Sequence, residues 1–315
     1  MSPVTRPIAL ATALASAALL AGCGGSDDAT GNGRSAVAAF YPLAWVTDRV
    51  AGDDWEVANL TQPGQEPHDL ELTIAQTAAL EEADLVVLTH GFQPAVDAGA
   101  ETAETRVLDA ADAVELLPAD ASEHEGETEE EHAEHAEEEH DHGDSDPHFW
   151  LDPLLVADFA DAVAAELGDV DPDAAQAYAD NATELRTELE ALDQEYTDGL
   201  AACERDTTVV SHQAFAYLER YGPHFEPIAS LSPDSEATAA DLARLQELIT
   251  QDGVTTVFSE RLVSPKMAET LADDLDVETA VLDPIEGLSD DTADEDYLSL
   301  MRENLTALQQ ANGCS

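Results

Sequence analysis

Histidine dominates the metal-ligating chemistry of this sequence, and nine of its ten histidines fall into two groups by their surroundings. His124, His132, His135, His140 and His142 lie in the acidic run "EHEGETEEEHAEHAEEEHDHG", which has no apolar periodicity and reads as solvated chain. His68 in "PGQEPHD", His90 in "VVLTHGF", His148 in "DPHFWLDP" and His212 in "VVSHQAFAY" instead stand at the ends of strand-like runs or beside prolines, and Asp283 closes the apolar run of "AVLDPIEG". Three imidazoles and one carboxylate, taken as His68, His148, His212 and Asp283, make a nitrogen-rich tetrahedral set that suits zinc. Manganese prefers more oxygen around it. A catalytic zinc keeps one position open for water and places a general base nearby. No H-E-x-x-H helix occurs in this chain, so a secreted zinc hydrolase is the weaker reading and no catalytic residue is assigned.

Elements that could bring these residues together are legible from Ser35 onward. "AVAAF", "WEVANL", "DLVVLTH" and "ETRVLDA" read as strands, with "PLAWVTDRVAG", "TIAQTAALEEA" and "PAVDAGAE" as the helices between them. The second half repeats the alternation with "TTVVSH", "TAADLARLQELITQDG", "TTVFSE", "SPKMAETLADDL", "ETAVLDP" and a closing helix from about Asp294. Alternating strands and helices make α/β units with parallel sheets, and such sheets bind ligands beyond the carboxyl ends of their strands. Between the halves, residues 171–203 carry Tyr178, Leu185, Leu189, Leu192, Tyr196 and Leu200 at helical spacing. They predict one long helix acting as a strut, with Asp171 as its cap and Pro172 in its first turn. The expected organisation is a first lobe over 35–170 that carries the histidine-rich loop 120–146, the linker helix 171–203, and a second lobe over 204–315.

Composition limits the partners. With 69 acidic against 11 basic residues the formal charge is −58, and Lys266 is the one lysine. Nucleic acid and anionic membrane surfaces need clustered Lys and Arg, so neither is expected to bind. A surface adapted to high salt and a cationic ligand both fit this charge, and the spread of acids along the chain favours the first. At the start of the chain, Arg6, the apolar stretch Ile8 to Leu20 and "LLAGC" follow the pattern of a lipoprotein signal over residues 1–22. Cys23 would then carry lipid, residues 23–34 would form a flexible tether, and the protein would sit on the outer face of the cell membrane. Cys203 and Cys314 remain, an even number in an oxidising compartment. A disulfide between them, worth about 3–5 kcal/mol for so long a loop, is set against two buried free thiols.

Six blocks together carry a family resemblance: "GQEPHD", "DPHFWLDP", the strut "DPDAAQAYADNATELRTELEALDQEY", "VVSHQAFAYLERYG", "FSERLVSPKMAETLA" and "LDPIEG". In this order they resemble the zinc- and manganese-binding receptors of bacterial ABC importers, the ZnuA-like and TroA-like group. The resemblance implies two Rossmann-like lobes joined by a rigid linker helix, with the metal in the cleft between them. It implies ligands at His68, His148, His212 and Asp283, and Glu66 as an alternative ligand. His212, where manganese-type members tend to have glutamate, points to Zn²⁺ before Mn²⁺. The run before "DPHFW" is similar to the family's histidine-rich insertion and would act as a low-affinity zinc collector, while His90 is expected to be structural. The implied function is a monomeric, lipid-anchored, non-enzymatic receptor that passes Zn²⁺ to a permease and its ATPase, with a zinc-dependent surface adhesin as the alternative.

Overall fold

The structure, a computed structural model, describes residues 33–119, 145–233, 235 and 237–315. Cys23 and the five loop histidines 124, 132, 135, 140 and 142 lie outside the described residues. Two four-stranded sheets form the frame. The first contains β1 (Arg34–Ala38), β2 (Trp55–Asn59), β3 (Leu85–Leu88) and β4 (Val107–Asp109) in the order β2-β1-β3-β4. The second contains β5 (Thr207–His212), β6 (His224–Ala229), β7 (Thr256–Ser259) and β8 (Glu278–Val281) in the order β6-β5-β7-β8. Every pairing is parallel, and the two lobes therefore share one topology. Parallel strands with helices on both faces bury both sides. Interior strands β3 "LVVL" and β7 "TVFS" are buried at every position, whereas β8, at an edge, is largely exposed.

β6 is not foreshadowed in the sequence, because Pro227 lies inside it and proline cannot donate to a ladder. It is an edge strand paired only with β5, the place in a sheet where proline is tolerated.

The linker helix spans Ala175–Leu200, about 39 Å at 1.5 Å per residue. Tyr178, Ala182, Leu185, Leu189, Leu192, Tyr196 and Leu200 form its buried stripe. Asp171 does not cap it; that residue ends the preceding helix Pro153–Val170, and its carboxylate pairs with Arg34 at 2.9 Å. The first half of the linker is tied to the first lobe: the Tyr178 hydroxyl accepts from Trp55 Nε1, Asn181 donates to the Val50 carbonyl, and Glu188 pairs with Arg49. Its second half is tied to the second lobe, where Tyr196 donates to the Met301 carbonyl, Asp193 accepts from the Tyr221 hydroxyl, and Glu195 pairs with Arg302. One hydrophobic core runs from β1 through the linker to the closing helix Tyr297–Asn312, and a second fills the far side of the second lobe around Val209, Ile249 and Val257. Cys203 and Cys314 are joined in a disulfide that ties the end of the linker to the end of the closing helix.

Candidate metal centre

Four side chains converge between the lobes: His68, His148, His212 and Glu286, each offering one ligand atom within 4.8 Å of the others. Two come from each lobe. His68 sits in the loop after β2, held where Gln93 donates to the Pro67 carbonyl at 3.0 Å. His148 opens a single helical turn, Phe149–Leu151, ahead of the helix that Asp152 caps and Pro153 begins. His212 ends β5, and Glu286 follows β8 in an irregular segment. A Cβ built on Gly287 would stand 3.2 Å from Leu262 Cδ1, a tight approach, and 3.5 Å from the Gln65 carbonyl of the other lobe, an ordinary contact, so the two lobes come together beside the site.

The distances match a tetrahedral ion. The Nε2 atoms of His68, His148 and His212 stand 3.5, 3.3 and 3.4 Å from Glu286 Oε1. Ligands bound at about 2.0–2.2 Å to a tetrahedral zinc lie about 3.3–3.5 Å apart. Among the described residues, neither His148 Nε2, His212 Nε2 nor Glu286 Oε1 has a hydrogen-bond partner, though all are buried. Buried polar atoms left without hydrogen bonds are costly, and an ion at their centre satisfies all of them at once. An aromatic cluster of Phe40, Phe92 and Trp150 packs against the rings of His68 and His148.

Two further carboxylates orient the imidazoles. Asp146 Oδ1 lies 2.7 Å from His148 Nδ1 and also accepts the His148 backbone N–H, so it fixes both ring and main chain. Glu260 Oε1 lies 2.6 Å from His212 Nδ1 and also accepts from the Ser211 hydroxyl. With Nδ1–H directed at a carboxylate, each ring presents its Nε2 lone pair to the centre. Burial works to lower His148 and His212, but Asp146 and Glu286 for the first, and Glu260 and Glu286 for the second, outweigh it and hold both above the usual imidazole range. His68 lies below that range because burial outweighs its contact with Glu286. Burial works to raise Glu286, yet the three histidines hold it well below the usual carboxylate range. The arrangement is that of a cation site closed on all sides by its own ligands.

A family model described as "Zinc-uptake complex component A periplasmic", ZnuA, matches residues 36–311. The chain belongs to this family. The high-affinity zinc uptake system protein ZnuA of Bacillus subtilis is 34% identical over 305 residues, covering 93% of each chain. Among solved structures, the Zn(II)-bound ZnuA-like domain of Streptococcus pneumoniae AdcA aligns with a TM-score of 0.72 at 29% identity, covering 89% of this chain and 99% of that one. The laminin-binding protein Lmb of Streptococcus agalactiae, a bifunctional protein with adhesin and metal transporting activity, aligns with a TM-score of 0.76 at 28% identity and covers 89% and 99%.

Within this ZnuA-type frame, one expectation from the sequence requires correction. Asp283 does not join the histidines. Its Oδ2 is held by Arg261 Nε at 2.8 Å and its Oδ1 accepts the Ile285 N–H at 2.8 Å, so the carboxylate is spent inside the second lobe. Burial raises it to about 6 against the pull of Ile285 and Arg261. Glu286, three residues on in the same "LDPIEG" block, takes the fourth corner. The signal for it was an acid directly after an apolar run and directly before glycine. Glu66 borders the site without joining the four: one oxygen accepts the Asp69 N–H at 3.3 Å, and burial together with Glu286 pushes it up to about 8. His90 is exposed in the turn after β3, 3.7 Å from Asp97, apart from the four. Asp146 and Glu260 were absent from the sequence-based site. Asp146 could have been read from "DPH", two residues before its histidine, but Glu260 is 48 residues from His212 and carries no local signal.

Proposed function

We propose that this chain is the extracytoplasmic receptor of a zinc importer: it captures Zn²⁺ between its lobes and delivers it to an ABC permease driven by an ATPase. The observation that carries this reading is the buried quartet of His68, His148, His212 and Glu286, whose 3.3–3.5 Å spacings suit a tetrahedral ion with three nitrogen ligands and one oxygen. One carboxylate among three imidazoles favours Zn²⁺ over Mn²⁺, which draws on more oxygen. The Bacillus subtilis relative named for high-affinity zinc uptake supports the transport role. Cys23 would supply the lipid anchor, and among the described residues no helix is long and apolar enough to cross a membrane.

Capture proceeds by exchange of ion for protons. Asp146 and Glu260 keep Nδ1–H of His148 and His212 pointed outward from the centre, Nε2 gives up any proton it holds, and Glu286 supplies the anionic oxygen. With three neutral imidazoles and one carboxylate around a divalent ion, the coordination shell carries a net positive charge, and the two orienting carboxylates stand close by to offset it.

Metal content of protein prepared without added metal, followed by competition between zinc and manganese, tests the reading. One tightly bound zinc per chain, displaced by manganese only in large excess, is the expected result. Preferential retention of manganese, or no tight site at all, refutes it. A surface adhesin role, favoured by the adhesin activity of the Streptococcus agalactiae protein Lmb, shares the site and differs in partner. Zinc-limited growth of a deletion strain separates the two, because an adhesin without a transport role leaves uptake unchanged.

A further inference from the structure

Ile285 has φ +59°. A β-branched residue in the left-handed region is a genuine outlier, since its Cβ crowds the backbone there. Such strain persists only where the surroundings hold it, and it gathers at functional sites. The segment Asp283–Glu286 is held at each step. The Asp283 N–H donates to Asn304 Oδ1 at 2.9 Å, and Asn304 Nδ2 donates to the Asp283 carbonyl at 2.6 Å. Trp150 Nε1, from the other lobe, donates to the Pro284 carbonyl at 2.7 Å. The Ile285 N–H is taken by Asp283 Oδ1, and Asp283 Oδ2 is itself pinned by Arg261. Ile285 is fully buried, so its side chain is clamped as well.

We infer that Asp283 and Arg261 are positioning residues for the metal site: they hold Ile285 in its left-handed conformation and so turn the Glu286 carboxylate into the cleft. The inference rests on the four-ligand reading proposed above and says how its one carboxylate gets there. Released from Asp283, the Ile285 N–H loses its acceptor and the chain relaxes toward negative φ, which redirects the next side chain. Arg261 directly follows Glu260, the residue that orients His212. The dipeptide after β7 therefore sets both ligands of the second lobe, Glu260 through the imidazole and Arg261 through Asp283. A free acid beside three histidines looks like a ligand in sequence; here it acts one step back from the ion.

The test is a double-mutant cycle with zinc affinity read by competition with a chromophoric chelator, on variants whose circular dichroism matches the unsubstituted protein. Asp283→Ala should weaken zinc by about 10–100-fold, the usual cost of losing an outer-shell partner. Glycine adopts positive φ without strain, so in an Ile285→Gly background the same Asp283→Ala change should cost less than about threefold. A purely structural role for Asp283 would not be rescued this way, because removing the buried Ile285 side chain adds a cavity. Should Asp283→Ala fail to fold, Arg261→Gln, which frees the Asp283 carboxylate from its anchor, takes its place in the cycle with the same expected loss and the same rescue by Ile285→Gly. An equal loss in both backgrounds, as a direct metal ligand would give, overturns the inference, and so does unchanged affinity in Asp283→Ala. Glu286→Ala is the separate control: if it binds zinc as the unsubstituted protein does, the four-ligand reading itself has failed.

Discussion

Zinc loading should expel protons near pH 6.5, and the structure identifies their main source. A metal takes the Nε2 lone pair, so an imidazolium must first lose its proton. His148 and His212 are held above the ordinary value of about 6.5, burial opposing the charge but Asp146, Glu260 and Glu286 outweighing it. Near pH 6.5 each therefore holds its second proton more readily than an ordinary imidazole does. His68 lies below that value and Glu286 well below its own, so both contribute fewer protons than ordinary groups of their kind. Each proton released per ion makes affinity change about tenfold per pH unit, so affinity should rise with pH across this range. Calorimetric titration at pH 6.5 in two buffers of different ionisation enthalpy measures the release directly. Glu260→Gln sharpens the test, because the amide oxygen can still accept from Nδ1–H while the larger of the two carboxylate charges that raise His212 is gone and Glu286 remains. Release should then fall and the rise of affinity with pH should flatten. The metal-free fold responds with the opposite sign. Its raised histidines contribute stability that is fully present below about pH 6.5 and lost as pH rises through their folded values, while the lowered Glu286 contributes above about pH 4.3 and loses its contribution as pH falls through its folded value. The gap in melting temperature between zinc-loaded and metal-free protein should therefore widen from pH 6 to pH 8. No proton release at pH 6.5, or release unchanged in Glu260→Gln, refutes this account of the site.

His212→Ala should weaken zinc in calorimetric titration more than deletion of residues 123–142, because it removes one of the four converging atoms; a deletion that abolishes the tight site while His212→Ala binds normally contradicts the assignment. The melting temperature of the metal-free protein should rise between about 0.01 M and 1 M sodium chloride, as the screening length falls from about 30 Å to about 3 Å. Each of the nine described arginines already pairs with a carboxylate, and Lys266 pairs with none among the described residues, so most of the negative charge is left to the solvent; an unchanged or lower melting temperature removes the salt-adapted explanation of the acidity. Small-angle scattering of the loop-deleted protein with and without zinc should give nearly equal radii of gyration, since the linker is hydrogen-bonded to both lobes along its length; clear compaction would show that it bends as a hinge.

The sequence by itself determined the α/β alternation and the linker, and it singled out His68, His148 and His212 as candidate ligands. Apolar runs and helical spacing are local properties, and His212, which ends the apolar run of β5, is carried to the carboxyl edge of its sheet, whereas His68 and His148 lie in irregular segments that their block resemblance singled out. The parity of Cys203 and Cys314 in an oxidising compartment likewise foretold their bond. What the sequence left open turns on contacts between distant segments. β6 is a strand despite Pro227 because it lies at an edge, which is a property of the assembled sheet. Asp283 and Glu286 are both acids of one short block, and nothing in their spacing ranks them as ligands. The choice was made by Arg261, 22 residues earlier, which captures Asp283, and by the left-handed turn at Ile285, which aims Glu286 at the histidines. An ion pair formed across the fold and one backbone angle held by its surroundings decided the fourth ligand, because which carboxylate is free to face the ion is known only once the others have found their partners.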